Sequence, residues 1–353
     1  MQKYPTLPLL CRYKIKMAQT YTSTQNFLLE SGAVLAGIEI SYCTYGTLNE
    51  DASNVVWICH ALTANADVAD WWPGMVGKAA ALDTEKYFIV CANILSSCYG
   101  SSGPLSINTA TGKPYGSSFP AITIRDMVNA HILLRKYLNI QQIRLLVGGS
   151  MGGYQALEWC VMEPAVIEKL FLLATSATES AWGIAVHTAQ RLAIEAENNW
   201  NTDIANGGKK GLKAARAIGI LSYRNYGIMV KTQTDIDFEK LDEYKVSSYI
   251  LHQGNKLADR FNAYCYWLLT KAMDTHQLSR GRGGLVNVVL EQIKQPTLII
   301  GISSDILCPP VEQEQIAAAI PNALLVIIDS AYGHDGFLIE GEKISAALKS
   351  WIN

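Results

Sequence analysis

Apolar residues along this chain fall into two kinds of run. Short, nearly uninterrupted ones occur at Val55 to Cys59, Tyr87 to Ala92, Ile143 to Gly148, Leu170 to Ala174, Thr297 to Gly301 and Leu324 to Ile328. Runs of this length, rich in Val, Ile and Leu and lacking polar alternation, read as strands buried on both faces. Between most of them lie stretches with helical spacing. In Thr123 to Leu138, for example, Ile124, Met127, Val128, Ile132 and Leu138 fall near one face. Strands that alternate with helices predict an α/β fold, a mostly parallel, doubly wound sheet covered on both sides by crossover helices.

The rhythm breaks between Thr175 and Gln295. That stretch has helical periodicity and aromatics but few strand signals, and the strand series resumes at Thr297. It predicts a helical insertion, residues 176–295, in a core formed by residues 21–175 and 296–353. Ligands of open α/β sheets bind at the carboxyl edge, so the insertion is expected to act as a lid that selects substrate. The alternative is a helical subdomain used only for oligomerisation. Residues 1–20 read as a flexible N-terminal extension. Their only apolar patch, Leu7 to Cys11, lacks the layout of a signal peptide, and Met17 offers a second start.

Chemistry enters where the run Ile143 to Gly148 breaks into glycines. Gly148-Gly149-Ser150-Met151-Gly152 fits G-x-S-x-G, followed at once by the helix-like Tyr154 to Cys160. In a nucleophile elbow the small neighbours let a strand turn so sharply into a helix that the serine hydroxyl stands clear. Phosphate cradles are the competing use of such turns. The Walker lysine spacing is missing here, as is the second half of a dinucleotide fingerprint. Ser150 is the candidate nucleophile.

A serine hydroxyl is a poor nucleophile at neutral pH and needs an imidazole to take its proton and a carboxylate to orient that imidazole. In a hydrolase-type sheet these follow in the order serine, acid, histidine, from loops after later strands. His334 follows the last strand run in the glycine-bearing loop Ser330 to Gly336. Asp305 and Asp329 compete for the acid. Asp305, just past the run that begins at Thr297, is favoured because the acid comes from the loop after the preceding strand. Its other possible role is to form a turn before the helix marked by Pro309 and Pro310. The oxyanion hole needs two backbone N–H groups. Met151 supplies one by position, and the turn His60-Ala61-Leu62-Thr63 supplies the other, with Leu62 the chosen donor. His60 is read as shaping that turn, since one base suffices.

Composition narrows the classes. The 353 residues carry 29 Lys and Arg against 31 Asp and Glu, a formal charge of −2, with no basic stripe, which argues against nucleic acid and anionic membrane surfaces as partners. No apolar run is long enough to span a membrane. The eight cysteines include no CxxC and no metal-ligand spacing, and several sit inside apolar runs, so no metal is expected and a reducing, cytoplasmic compartment is.

The chain resembles the homoserine O-acyltransferase family, in particular the O-acetyltransferases of methionine biosynthesis. The matching segments are His60-Ala61-Leu62-Thr63, Gly103 to Asn108, Gly112 to Gly116, Phe119-Pro120, Gly149 to Gly153, Gln155 to Trp159, Asp305 with Cys308-Pro309-Pro310, and Tyr332 to Asp335. The resemblance covers nearly all of the chain after about residue 20. The resemblance implies a triad of Ser150, Asp305 and His334 and an oxyanion hole from the backbone of Leu62 and Met151. It also implies that Arg216 and Tyr223 in the lid, and Asp335 beside the histidine, bind the amino-acid substrate. Arg216 and Tyr223 are seven apart, so on a helix they share a face and can grip a carboxylate together. The insertion matches less closely than the sheet, with Ile220-Leu221 where the family commonly has histidine and isoleucine.

The implied reaction moves an acyl group from acetyl-CoA or succinyl-CoA, a co-substrate rather than a bound cofactor, to the side-chain hydroxyl of homoserine, in a homodimer formed through the lid helices. The alternatives are a homoserine or serine O-succinyltransferase, a serine esterase, or a catalytically silent binding protein of the same fold. Acceptors that differ by one methylene are separated by only about 1–3 kcal/mol.

Overall fold

A computed structural model describes residues 18–352. Its centre is one eight-stranded sheet. The strands are β1 (Gln19–Ser23), β2 (Ile38–Tyr45), β3 (Val55–Cys59), β4 (Phe88–Ala92), β5 (Leu145–Gly149), β6 (Leu170–Leu173), β7 (Thr297–Ile302) and β8 (Ala323–Ile328). They lie in the order β1-β2-β4-β3-β5-β6-β7-β8. The pairs β1–β2 and β2–β4 are antiparallel and all the others parallel. All six predicted runs are strands, within two residues at either end. Strands β1 and β2 have no counterpart among the predicted runs. Strand β1 starts at Gln19, so the sheet takes in the last two residues of the stretch read as an extension; residues 1–17 lie outside the described residues.

The central strands β3, β5, β6 and β7 have every residue buried. Their alternate side chains feed two apolar layers, one on each face. Each such Val, Leu or Ile contributes roughly 1.5–3 kcal/mol relative to leaving it in water. Helices α1 (Ile124–Tyr137), α2 (Met151–Met162), α8 (Pro310–Ala319) and α9 (Gly341–Ile352) cover the sheet. Helix α1 begins where the sequence supplies a cap: the Thr123 hydroxyl accepts the Asp126 N–H, and the Asp126 carboxylate accepts the Thr123 N–H at 2.9 Å.

Between β6 and β7 the chain forms α3 (Ala181–Glu195), α4 (Lys209–Tyr223), α5 (Tyr226–Gln233), α6 (Lys245–Arg260) and α7 (Ala263–Asp274). Helix α4 packs against α3 and α6, and its end reaches the Gly333–Asp335 turn. An ionic knot ties the end of this insertion to the core: Glu158 of α2, almost fully buried, meets Arg125 of α1 at 2.6 Å and Arg282 at 2.9 Å. Among the described residues, no helix is long and apolar enough to cross a membrane.

Candidate active site

The elbow is built by glycines at two close approaches. A Cβ on Gly152 would lie 2.0 Å from the Cys59 carbonyl oxygen, and one on Gly148 would lie 2.2 Å from that of Gly152. Only hydrogen lets α2 start hard against the ends of β3 and β5. The turn forces Ser150 to φ 53°, ψ −128°, a region that costs a non-glycine residue on the order of 1–3 kcal/mol. Neighbours hold it there. The Ser150 N–H donates to the Leu173 carbonyl, and its own carbonyl accepts from the Gly153 N–H and the Thr175 hydroxyl, both at 2.8 Å.

Strands β5, β6, β7 and β8 are successive neighbours, so the loops at their carboxyl ends converge. The structure brings Ser150, His334 and Asp305 together there. Ser150 Oγ lies 2.9 Å from His334 Nε2, and His334 Nδ1 lies 2.7 Å from Asp305 Oδ2. All three side chains are buried. The carboxylate can only accept, so Nδ1 carries the proton and Nε2 is left to accept the serine hydroxyl. The other oxygen, Asp305 Oδ1, accepts the N–H groups of Leu307 and Cys308 at 2.8 and 3.0 Å. The two roles weighed for Asp305, turn former and histidine partner, are thus carried by its two oxygens. Asp329 is exposed and takes the Ser303 hydroxyl at 3.0 Å.

Burial alone would lower the affinity of the His334 ring for a proton, but the charge of Asp305 and its hydrogen bond outweigh this, and the imidazole titrates above its ordinary 6.5. The Phe337 ring packs edge-on against the imidazole at 5.4 Å. Ser304 bridges the histidine loop, donating to the Ser330 carbonyl and accepting the Gly333 N–H. Nearby, Glu312 is pushed up to about 7 by burial and by the charges of Glu179 and Asp305.

The turn that carries Leu62 lies beside the start of α2, because Gly148 of β5 is paired with Cys59 of β3. The Gln155 side chain joins the two, donating to the carbonyls of both His60 and Met151 at 3.2 Å. Neither the Leu62 nor the Met151 N–H has a hydrogen-bond partner among the described residues. His60 is fully buried, held near 4 by burial, and bonded to backbone through both ring nitrogens.

Arg216 and Tyr223 share a face of α4, with the guanidinium 5.4 Å from the centre of the Tyr223 ring. That ring lies 5.9 Å from the His334 ring. Among the described residues Arg216 forms no ion pair. Asp335 is differently placed: its carboxylate is already paired with Arg224 Nε at 3.0 Å. Arg224 follows Tyr223 directly, and nothing in the helical pattern singled it out. A cavity of about 210 Å³ opens beside this pair, lined in part by Arg224, Met229, Thr232, Tyr249 and Tyr332. Among the described residues there is no cluster of three or more His, Cys, Asp or Glu placed to hold a metal.

The model of the alpha/beta hydrolase fold family matches residues 54–340. A homoserine O-acetyltransferase from Cyclobacterium marinum is 45% identical over 338 residues, covering 96% of each chain. The chain belongs to the homoserine O-acetyltransferase family. A crystal structure of a homoserine O-acetyltransferase from Staphylococcus aureus is 27% identical, with a TM-score of 0.79 over 96% of this chain and 95% of that one. The crystal structure of esterase E22, 23% identical, superposes with a TM-score of 0.85 over 96% of this chain and all of the other, and shares the fold.

Proposed function

We propose that this member of the homoserine O-acetyltransferase family moves an acetyl group from acetyl-CoA to the hydroxyl of L-homoserine, as a step of methionine biosynthesis. The observation that carries the reading is the unbroken chain from Ser150 Oγ through His334 to Asp305, in a chain 45% identical to a homoserine O-acetyltransferase over 96% of its length. His334 Nε2 takes the Ser150 proton as Oγ bonds to the thioester carbon. The C–S bond then breaks and the departing thiolate receives that proton, leaving an acetyl ester on Ser150. Homoserine enters, its hydroxyl gives a proton to Nε2, and its oxygen attacks the ester. Oγ leaves with the proton returned from His334. The N–H groups of Leu62 and Met151 stabilise the oxyanion in both halves.

Water competes for the ester, so transfer requires the amino acid to be held in line while water is kept away. Residues 176–295 serve as the lid that does this over a core of 21–175 and 296–353. Arg216, stacked by Tyr223, takes the carboxylate, and Asp335 takes the ammonium by sharing or exchanging its contact with Arg224. The seven described cysteines are all buried free thiols, in keeping with a cytoplasmic site of action.

The test is to mix the protein with acetyl-CoA or succinyl-CoA and with homoserine or serine, follow thiol release, and identify the ester by mass. O-Acetylhomoserine is the expected product, with Ser150→Ala slower by a factor on the order of 10³ or more. Acetate alone would favour an esterase, and a succinyl ester would reassign the donor. Loss of both thiol release and Ser150 labelling by a phosphonate would favour a silent binding protein. Arg216→Ala is expected to raise the ratio of hydrolysis to transfer; an unchanged ratio with normal homoserine saturation would remove Arg216 from the site.

A further inference from the structure

The Leu62 N–H belongs to the peptide unit whose other end is the Ala61 carbonyl. In a trans peptide the two point in opposite directions, so whatever holds the carbonyl aims the N–H. Two donors hold it: the Ala64 N–H at 3.0 Å and His60 Nδ1 at 2.8 Å. The other nitrogen of His60 accepts the Ile94 N–H at 3.3 Å, which fixes the proton on Nδ1. The Ala64 N–H in turn shares its peptide unit with the Thr63 carbonyl. That carbonyl receives the guanidinium of Arg260 at 2.6 Å.

Arg260 is the last residue of α6 and so belongs to the insertion, 197 positions from Thr63. The same Nη1 meets the Tyr99 hydroxyl at 2.8 Å, while Nη2 lies 3.4 Å from the Thr63 hydroxyl. Among the described residues no carboxylate pairs with Arg260, so its charge is directed at the turn.

We propose that Arg260 is a positioning residue for the oxyanion hole, acting through two peptide units. The guanidinium holds the Thr63 carbonyl, the Ala64 N–H holds the Ala61 carbonyl, and the Leu62 N–H meets the developing oxyanion. The proposal rests on Leu62 being a donor of the hole. A cation at one end polarises each peptide in turn, because linked hydrogen bonds strengthen one another, and more so where water is excluded. The relay ends in a donor aimed at negative charge that exists only in the transition state. It therefore raises the rate of acylation and leaves ground-state binding nearly unchanged. It also makes the hole depend on the insertion: the turn is set only when the end of α6 is docked.

The test compares acetyl-CoA with its dithioester analogue, in which sulfur replaces the carbonyl oxygen and accepts hydrogen bonds poorly. At saturating acetyl-CoA, Arg260→Met is expected to release thiol roughly tenfold more slowly, a weakened rather than a deleted hole donor. KM for acetyl-CoA and homoserine should stay within about twofold. The loss should be smaller with the dithioester, and Arg260→Lys should restore most of the rate. If Arg260→Met does not fold, judged by circular dichroism, Arg260→Gln removes the same charge and is read in the same way. An unchanged acylation rate in the neutral variant, or an equal loss with both donors, would overturn the relay. Wild-type protein that releases no thiol from acetyl-CoA would overturn the acyltransfer reading instead.

Discussion

His334 shows how opposing effects on one side chain set a working pH. Burial disfavours the imidazolium, while Asp305 at 2.7 Å favours it more, so the folded ring holds its proton above 6.5. The proposed mechanism needs the neutral ring, and that form is lost as pH falls through the raised value. The acid limb of kcat/KM should therefore lie above pH 6.5. Asp305→Asn removes the charge and reverses the Nδ1 preference. It should move the limb to lower pH and cut the rate by roughly 10⁴. A limb that stays in place in this variant would mean that another group titrates. At this scale the sequence was readable wherever chain order constrains chemistry: Ser150, Asp305 and His334 follow from an elbow and two strand ends. Arg224 and Arg260 were not readable, because their partners lie 111 and 197 positions away and neither sits in a pattern.

At the scale of elements, the central strands announced themselves because burial on both faces leaves an apolar run. Strand β1, reading Gln-Thr-Tyr-Thr-Ser, lies at the sheet's edge with no residue fully buried and carries no such signature. Strand β2 is mostly buried, yet Glu39, Ser41 and Thr44 break its run. The junction of β5 with α2 is tightly constrained. Gly152→Ala would drive a methyl group to 2.0 Å from the Cys59 carbonyl, and backbone cannot rotate away as a side chain can. We expect about 2–4 kcal/mol of lost stability. Helix α2 should be pushed from the turn that holds Leu62, with activity falling further than stability explains. A denaturant midpoint unchanged from wild type would show that the contact is not rigid.

For the whole molecule, the insertion leaves a large apolar surface. Ile236, Phe238 and Leu241 are 93%, 90% and 92% exposed, and Tyr226 and Leu251 are also largely exposed. Monomeric proteins rarely leave so many large apolar side chains in water on one segment, and a stable interface needs on the order of 1,000 Å². We expect a homodimer through these helices, with twice the mass of one chain in sedimentation and a monomer when Ile236 and Leu241 are both changed to Asp. A monomeric wild type at micromolar concentration would refute this.

The hydrogen-bonded pair proposed for catalysis also has a history in time. Ser150 and His334 are 184 residues apart, with the whole insertion threaded between them. At roughly 5–20 residues per second, a ribosome needs on the order of 10–40 s to travel that distance. Throughout that interval the Ser150 hydroxyl lacks the His334 imidazole that would take its proton. Thiol release from acetyl-CoA is therefore expected to wait until residue 334 has been made, and a chain lacking residues 334–353 is expected to show none.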